Sequence, residues 1–218
     1  MINKVNRTIL VLLSVFLIAG QFPASPQDLQ ILQLPQPKKE GGMPLLQALN
    51  QRHSTREFAP DKLSSQVLSN LLWAAWGINR SAGQRTAPSA NNRQEIDIYV
   101  VMADGAWLYD AGANALKQVV TADVRAFTGT QPFVKDAPVN LVYVADLNKA
   151  KRTNPSDMEF YTGANAGFIA QNVYLFCASE GLVTVVRALV DRAALAKALN
   201  LRPDQKIAFA QTVGYPAK

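Results

Sequence analysis

Five consecutive residues, Arg52 to Arg56, carry side chains that together could bind an anion. The two ends of the segment are arginines, and the residues between them are His53, Ser54 and Thr55. A guanidinium presents its N–H donors in a fixed fork that matches a phosphate, and hydroxyls add short hydrogen bonds. The segment therefore either binds a phosphate or is an ordinary solvated loop, and composition alone leaves both interpretations open.

A second polar segment, Ala87–Gln94, lies directly before a predicted strand and contains Ser89 and Asn92. Loops at strand ends often line ligand sites, because a rigid sheet then positions their side chains. An asparagine amide can also pair with a heteroaromatic edge that offers both a donor and an acceptor. Taken alone, however, the segment is more typical of a turn without a ligand.

The composition excludes several kinds of site. His53 is the only histidine and Cys177 the only cysteine, which excludes multi-histidine metal sites, most histidine-based triads and an internal disulfide. The formal net charge is +6, and most basic residues are spread singly along the chain. That distribution argues against a nucleic-acid surface and fits one local anion site.

The first residues have the layout of an export signal. Two basic residues precede an apolar stretch from Ile9 to Ala19, which has the length of a signal-peptide core and is short for a membrane span. We therefore predict that residues 1–25 are a signal peptide or an N-terminal membrane anchor. The protein would then be exported, either periplasmic or anchored facing the periplasmic or extracellular side. Residues 26–42 contain several prolines and are predicted to be a linker, which leaves 43–218 as the folded domain.

Within the folded domain, the hydrophobic pattern changes between the period of a helix and that of a strand. Helices are predicted from Pro44 to about Arg52, from Ser64 or Ser65 to Gly77, from about Asp157 to Glu180, and from Asp191 to Leu199. Strands are predicted at Ile96–Met102, Trp107–Tyr109, Leu116–Val120, Val139–Ala145, Val183–Val186 and Ile207–Val213. Irregular alternation of the two, with helices long enough to cover a central sheet, predicts the α+β class.

The longest predicted helix carries many small residues in its first half, among them Gly163, Gly167 and Ala170. Small side chains allow another backbone or a ligand to approach a helix closely. This helix is therefore predicted to present a contact surface, either for a ligand or for a partner helix.

Four segments together resemble the motifs of nitroreductase-type flavoproteins. Arg52–Phe58 is similar to the family's R-R/H-S-x-R/K-x-F signature, and Pro88–Gln94 is similar to its P-S-x-x-N-x-Q loop. Ala164–Gly181 resembles its long helix with a Q-N pair, and Gly214–Pro216 matches its terminal G-Y-P. The motifs occur in the family's order over nearly the whole folded domain. The second segment and its following strand also resemble the branch that includes thiazoline/oxazoline dehydrogenases.

The resemblance implies a fold, a cofactor and an oligomeric state. Family members have a central mixed β-sheet flanked by helices, usually as an intertwined homodimer with FMN at the subunit interface. The implied activity is an FMN-dependent oxidoreductase that transfers hydride through flavin N5, with NAD(P)H as the candidate electron donor and a nitroaromatic or quinone-type acceptor. Three alternatives stay open: a flavin-binding accessory protein without turnover, a substrate-oxidising dehydrogenase, and a binding protein for an anionic ligand.

Carried over by position, the resemblance assigns the phosphate end of FMN to the basic segment. Arg52 and Ser54 would hold phosphate or ribityl oxygens, with His53 nearby. A basic residue at the end of the chain commonly reaches the phosphate in this family, and Lys218 would take that part.

The flavin ring is assigned to other parts of the chain. Arg56 would lie near the N1/O2 edge, and Asn92, in the same loop as Ser89, would contact the isoalloxazine ring. Ala188 and Leu189 fall where family members present backbone N–H groups to flavin N5, although many relatives carry a glycine or an acidic residue at that turn. No general base and no metal are assigned, because hydride transfer requires position, electric field and a stacking face.

Overall fold

The computed structural model describes residues 29–150 and 154–217. Within these ranges the chain has four α-helices and seven strands. The helices are α1 (Leu45–Gln51), α2 (Ser65–Trp76), α3 (Pro155–Glu180) and α4 (Arg192–Ala198). The strands are β1 (Ile31–Gln33), β2 (Ile96–Met102), β3 (Gly105–Asp110), β4 (Ala115–Val120), β5 (Val139–Asp146), β6 (Val183–Arg187) and β7 (Gln205–Gly214). Every helix and strand predicted from the sequence is confirmed to within two residues at each end.

The strands form one sheet in the order β1-β4-β3-β2-β5-β7-β6, and every described pair is antiparallel. The α+β class is thereby confirmed, although the sheet is antiparallel where a mixed sheet was expected. The reason is the position of β7. The chain crosses from β5 through α3 to β6, and these two strands run in the same direction. Because β7 lies between them and runs the other way, a parallel crossover becomes two antiparallel pairs.

Helices and turns cover both faces of the sheet. On one face, Leu72 of α2 and Ile169 of α3 join Leu141 of β5 in the larger hydrophobic cluster. On the other face, Leu195 of α4 clusters with Val142, the next residue of the same strand. All of β5 is consequently buried, which accounts for its continuous apolar sequence.

Local capping residues determine where the helices begin and end. The Ser64 side chain accepts a hydrogen bond from the Val67 N–H at 3.3 Å at the start of α2. The Asp191 carboxylate accepts two N–H groups of the first turn of α4, at 3.1 and 3.0 Å. Gly181 ends α3 in the left-handed conformation, with φ 69°, which glycine adopts without steric penalty. This abrupt ending directs the chain straight into β6.

Part of the predicted linker belongs to the folded domain, so the boundary at residue 43 is wrong. β1 pairs with β4, Leu34 is buried in the larger hydrophobic cluster, and the Asn114 side-chain amide donates to the Pro35 carbonyl at 2.7 Å. The segment was predicted to be a linker from its proline and glycine content, but Pro35 and Pro37 follow β1 and remove no donor from its pairing with β4. The predicted signal segment, residues 1–25, lies outside the described residues. Among those that the structure describes, no helix is both long and apolar enough to span a bilayer.

Candidate functional site

The basic segment follows α1 and lies against α3 and β6, with Tyr174 at the centre of its contacts. The Arg52 guanidinium lies over the Tyr174 ring, 5.3 Å from the ring centroid. The Ser54 Oγ lies 2.7 Å from the Tyr174 hydroxyl, which also accepts the Val186 N–H at 3.0 Å. One buried aromatic side chain therefore contacts two predicted phosphate ligands and the backbone of β6.

Backbone contacts fix the rest of this segment. The Thr55 N–H donates to the Thr184 carbonyl at 3.1 Å, which joins the segment to the beginning of β6. The His53 Nδ1 lies 2.7 Å from the Gln51 carbonyl, so this ring folds back onto the end of α1. His53 and Arg56 are both exposed. Their side chains are consequently available to a ligand at the surface.

A cavity of about 290 Å³ opens beside the same Tyr174 side chain. Its walls come from α3, from β6 with the turn after it, and from β7: Gly167, Ala170, Gln171, Tyr174, Val186, Arg187, Ala188 and Phe209. The predicted N5-facing residue Ala188 thus lines a cavity that adjoins the basic segment, and Leu189 beside it is 61% exposed. Ligand pockets typically measure about 300–1,000 Å³. This cavity is therefore large enough for part of a nucleotide-sized ligand.

The loop that contains Ser89 and Asn92 is held in a rare backbone conformation. Asn91, Asn92 and Gln94 each have φ 52°, in the left-handed region that L-residues visit seldom. The Ser89 Oγ accepts the Gln94 N–H, and the Gln94 side-chain amide donates to the Asn92 Oδ1, both at 3.0 Å. Such conformations persist where surrounding contacts fix them, and they are concentrated at ligand sites.

This loop is anchored to a different part of α3 from the basic segment. The Asn165 Oδ1 accepts the Ala90 N–H at 3.2 Å, and the Asn165 Nδ2 donates to the Glu95 carboxylate at 2.6 Å. Asn165 and Tyr174 are nine residues apart in α3, which corresponds to about 14 Å along the axis and two and a half turns. The cavity wall on α3 begins at Gly167, only two residues from Asn165. At about 100° of turn per residue, however, Asn165 projects from the side of α3 opposite Gly167 and Tyr174. The contacts that anchor the loop of Ser89 and Asn92 therefore do not bring it to the cavity beside Ala188.

Arg187, which precedes Ala188, is a buried cation that pairs with no carboxylate among the described residues. Only 5% of it is exposed. Its guanidinium donates to the Thr128 carbonyl, the Asn140 Oδ1 and the Thr212 Oγ1 at 2.7, 2.9 and 2.8 Å. Burial lowers the pKa of Arg187 to about 10, so the group stays charged at neutral pH. At this turn, where many relatives carry a glycine or an acidic residue, Arg187 thus fixes the backbone next to Ala188 through three buried hydrogen bonds.

Sequence reasoning missed Tyr174 as a site residue. In the printed sequence it is one aromatic residue within an apolar helical stretch, a pattern that indicates core packing far more often than ligand binding. The available signal was its position: Tyr174 follows Gln171, the first residue of the family's Q-N pair, by three residues, or about one helical turn. Lys218 lies outside the described residues, so its contact with a phosphate stays a prediction.

Comparison with known proteins gives a consistent result. The model of the nitroreductase family matches residues 49–215. A protein of Methanocaldococcus jannaschii assigned as a nitroreductase is 30% identical over 147 residues, which are 63% of this chain and 74% of that protein. A crystal structure of a protein from Ralstonia eutropha, likewise assigned as a nitroreductase, has a TM-score of 0.83 and 42% identity, covering 86% of this chain and 90% of the other. Another such protein, from Desulfovibrio desulfuricans, was crystallised with FMN and has a TM-score of 0.60 and 25% identity, covering 82% and 89%.

Proposed function

Because the chain belongs to the nitroreductase family, we propose that it is an FMN-dependent oxidoreductase that transfers hydride through flavin N5. One observation carries the proposal. Arg52 and Ser54 contact the same Tyr174 side chain that lines the cavity beside Ala188. The pair that we assign to the phosphate therefore adjoins the turn that we assign to the flavin ring, within one chain.

The residues at the cavity fit FMN in their chemistry. Arg52 offers a guanidinium fork and Ser54 a hydroxyl for the phosphate. Gly167 and Ala170 place only small side chains on the α3 wall of the cavity, which allows an aromatic ring to approach the helix closely. When bound, FMN supplies the two-electron chemistry at N5. Arg56 would lie at the N1–O2 edge, where a positive charge stabilises the negative charge that reduction creates.

We also propose that the protein is a homodimer in which each cavity is completed by the partner's loop. The cavity is small, and the loop with Asn92 is anchored by Asn165, on the side of α3 opposite the cavity. The same helix exposes Phe160 and Phe168, which are 73% and 47% exposed, and a Cβ added at Gly163 or Gly167 would meet no atom within 4 Å. An apolar face with open space beside it fits a second copy of the helix.

Light scattering tests the dimer. The full chain is expected to have twice the mass of one chain. Phe168→Glu is expected to give a monomer that retains little FMN, because the dimer interface would bury an unpaired carboxylate. Phe127→Glu is the matched control, since Phe127 is 46% exposed on the turn at the other face of the sheet. A wild-type monomer that retains FMN, or equal loss of mass in both variants, would contradict the proposal.

The electron donor and acceptor are proposed as NAD(P)H and a nitroaromatic or quinone-type compound. Export would remove the protein from the cytoplasmic pool of NAD(P)H, so a substrate-oxidising dehydrogenase is the main alternative. The arginine at the N5 turn favours a second alternative, a flavin-binding accessory protein without turnover. All three functions use the same cofactor. They differ in whether the flavin turns over and, where it does, in the compound that reduces it.

The visible absorption spectrum of the full chain, purified in detergent, tests the function directly. We expect flavin bands that bleach when NADH or NADPH is added without oxygen, and that return when a quinone follows. Bands that persist with both nucleotides would instead support the dehydrogenase or the accessory protein. A protein without flavin bands, even after incubation with FMN, would contradict all three.

A further inference from the structure

The Tyr174 hydroxyl has two polar neighbours, and their chemistry determines where its proton goes. The Val186 N–H can only donate, so the hydroxyl oxygen accepts this bond at 3.0 Å. Its own proton then points to the Ser54 Oγ at 2.7 Å, the other polar atom that it contacts within the described structure. The opposite direction would leave the proton of this side chain, which is only 7% exposed, without an acceptor among its two polar neighbours, and a buried donor without an acceptor is destabilising.

The direction of this chain of hydrogen bonds leaves one donor free. Ser54 uses an oxygen lone pair to accept from Tyr174, so its own proton is available for another acceptor. Ser54 is exposed, and the next acceptor can therefore be a ligand oxygen. We call this chain of hydrogen bonds, from the Val186 N–H through the Tyr174 hydroxyl to the Ser54 hydroxyl, the relay. It ends in the Ser54 O–H, which can donate to an anion.

The same side chain also supports the arginine beside this serine. The Arg52 guanidinium lies 5.3 Å from the centroid of the Tyr174 ring, within the range of a favourable cation–π contact. The ring thus supports one phosphate donor while its hydroxyl orients the other. At its far end the relay holds Val186, two residues before Ala188.

We propose that Tyr174 is a positioning residue that orients Ser54 and Arg52 for the FMN phosphate. This inference rests on the proposed FMN function and deepens it. It assigns the phosphate selectivity of the site to a residue that contacts no reacting atom. Tyr174→Phe removes the hydroxyl relay and keeps the ring under Arg52, whereas Tyr174→Leu removes both.

A double-mutant cycle on FMN affinity tests the relay. Tyr174→Phe and Ser54→Ala are each expected to raise the FMN Kd about tenfold in fluorescence titrations of the full chain. The double variant is expected to match the single ones, because Ser54→Ala removes the donor that Tyr174→Phe leaves without orientation. Tyr174→Leu is expected to have a larger effect. Riboflavin, which lacks the phosphate, is expected to change less than threefold in every variant.

Tyr99→Phe is the matched control for losing a buried tyrosine hydroxyl. Tyr99 is 5% exposed and accepts the Gln205 side-chain amide at 3.2 Å, on the other face of the sheet. The FMN Kd of the Tyr99→Phe variant is expected to stay unchanged even if the melting temperature of that variant falls. Wild-type FMN affinity in Tyr174→Phe, or effects of Tyr174→Phe and Ser54→Ala that multiply, would overturn the relay.

Two further outcomes keep this inference separate from the proposed function. Should Tyr174→Phe fail to fold, the exposed Ser54 still provides the test. Unchanged FMN binding by Ser54→Ala would then overturn the relay, and loss rescued by Ser54→Thr would support it. A wild-type chain that binds neither FMN nor riboflavin would contradict the proposed function itself.

Discussion

Replacing Gly129 with alanine is expected to lower the free energy of unfolding by about 3 kcal/mol. A Cβ at this position would overlap the Nη1 of Arg187. The backbone itself is not the reason, because Gly129 has the extended conformation that any residue can adopt. The guanidinium cannot withdraw without losing its hydrogen bond to the Thr128 carbonyl, and a buried charge that loses a partner is destabilising.

Urea unfolding of Gly129→Ala in two backgrounds separates this clash from other effects. In a chain that already carries Arg187→Ala, the same change is expected to cost less than about 1 kcal/mol, because the overlapping atom is gone. The nearest other side chain, Val134, would then lie 3.3 Å from the new Cβ. Equal losses in both backgrounds would show that Arg187 is not the obstacle. Because Arg187 precedes Ala188, weaker FMN retention is expected to accompany the loss of stability.

The helices and their ends could be predicted from the sequence because the interactions that form them are local. Ser64 reaches an N–H three residues away, and Asp191 reaches two within three residues. Gly181 needs only its own left-handed conformation. Such signals lie within one helical turn and are therefore visible in the order of residues.

The sheet could be predicted only in part because its pairing is long-range. β1 has three residues and pairs with β4, and Leu32 lies opposite Leu116. Nothing near either residue in the sequence indicates that partner. The insertion of β7 between β5 and β6 has the same cause, since the last strand of the chain determines whether the earlier pair is parallel or antiparallel. The linker and the mixed sheet were wrong for this reason.

The candidate site divides in the same way. Arg52 and Ser54 lie in one short motif, so the resemblance identified them directly. The contacts that orient them come from Tyr174, more than a hundred residues later. Arg187 likewise takes its three acceptors from separate elements of the fold. Motifs predicted the groups that would touch a ligand, and only the fold reveals the groups that hold them.

Replacing Arg52 with alanine is expected to raise the FMN Kd about a hundredfold, which corresponds to about 2.7 kcal/mol. The guanidinium would contribute two charge-assisted hydrogen bonds to the phosphate, and its half-buried position over Tyr174 reduces the entropy that each bond would otherwise cost. Arg52→Lys keeps the charge without the planar fork, so an intermediate loss of about tenfold is expected. Fluorescence titration with FMN and with riboflavin measures both variants, and riboflavin affinity is expected to change little.

Arg56→Ala provides the contrast, because this arginine is assigned to the flavin ring and not to the phosphate. Its FMN Kd is expected to rise less than tenfold, while the two-electron midpoint potential falls by about 30 mV, or about 1.4 kcal/mol. A positive charge lost from the N1–O2 edge destabilises the reduced flavin more than the oxidised one. Spectroelectrochemical titration of wild type, Arg52→Ala and Arg56→Ala separates the two roles. Equal losses of affinity with no change in potential would reject the role of Arg56, and unchanged FMN affinity in Arg52→Ala would reject the phosphate site.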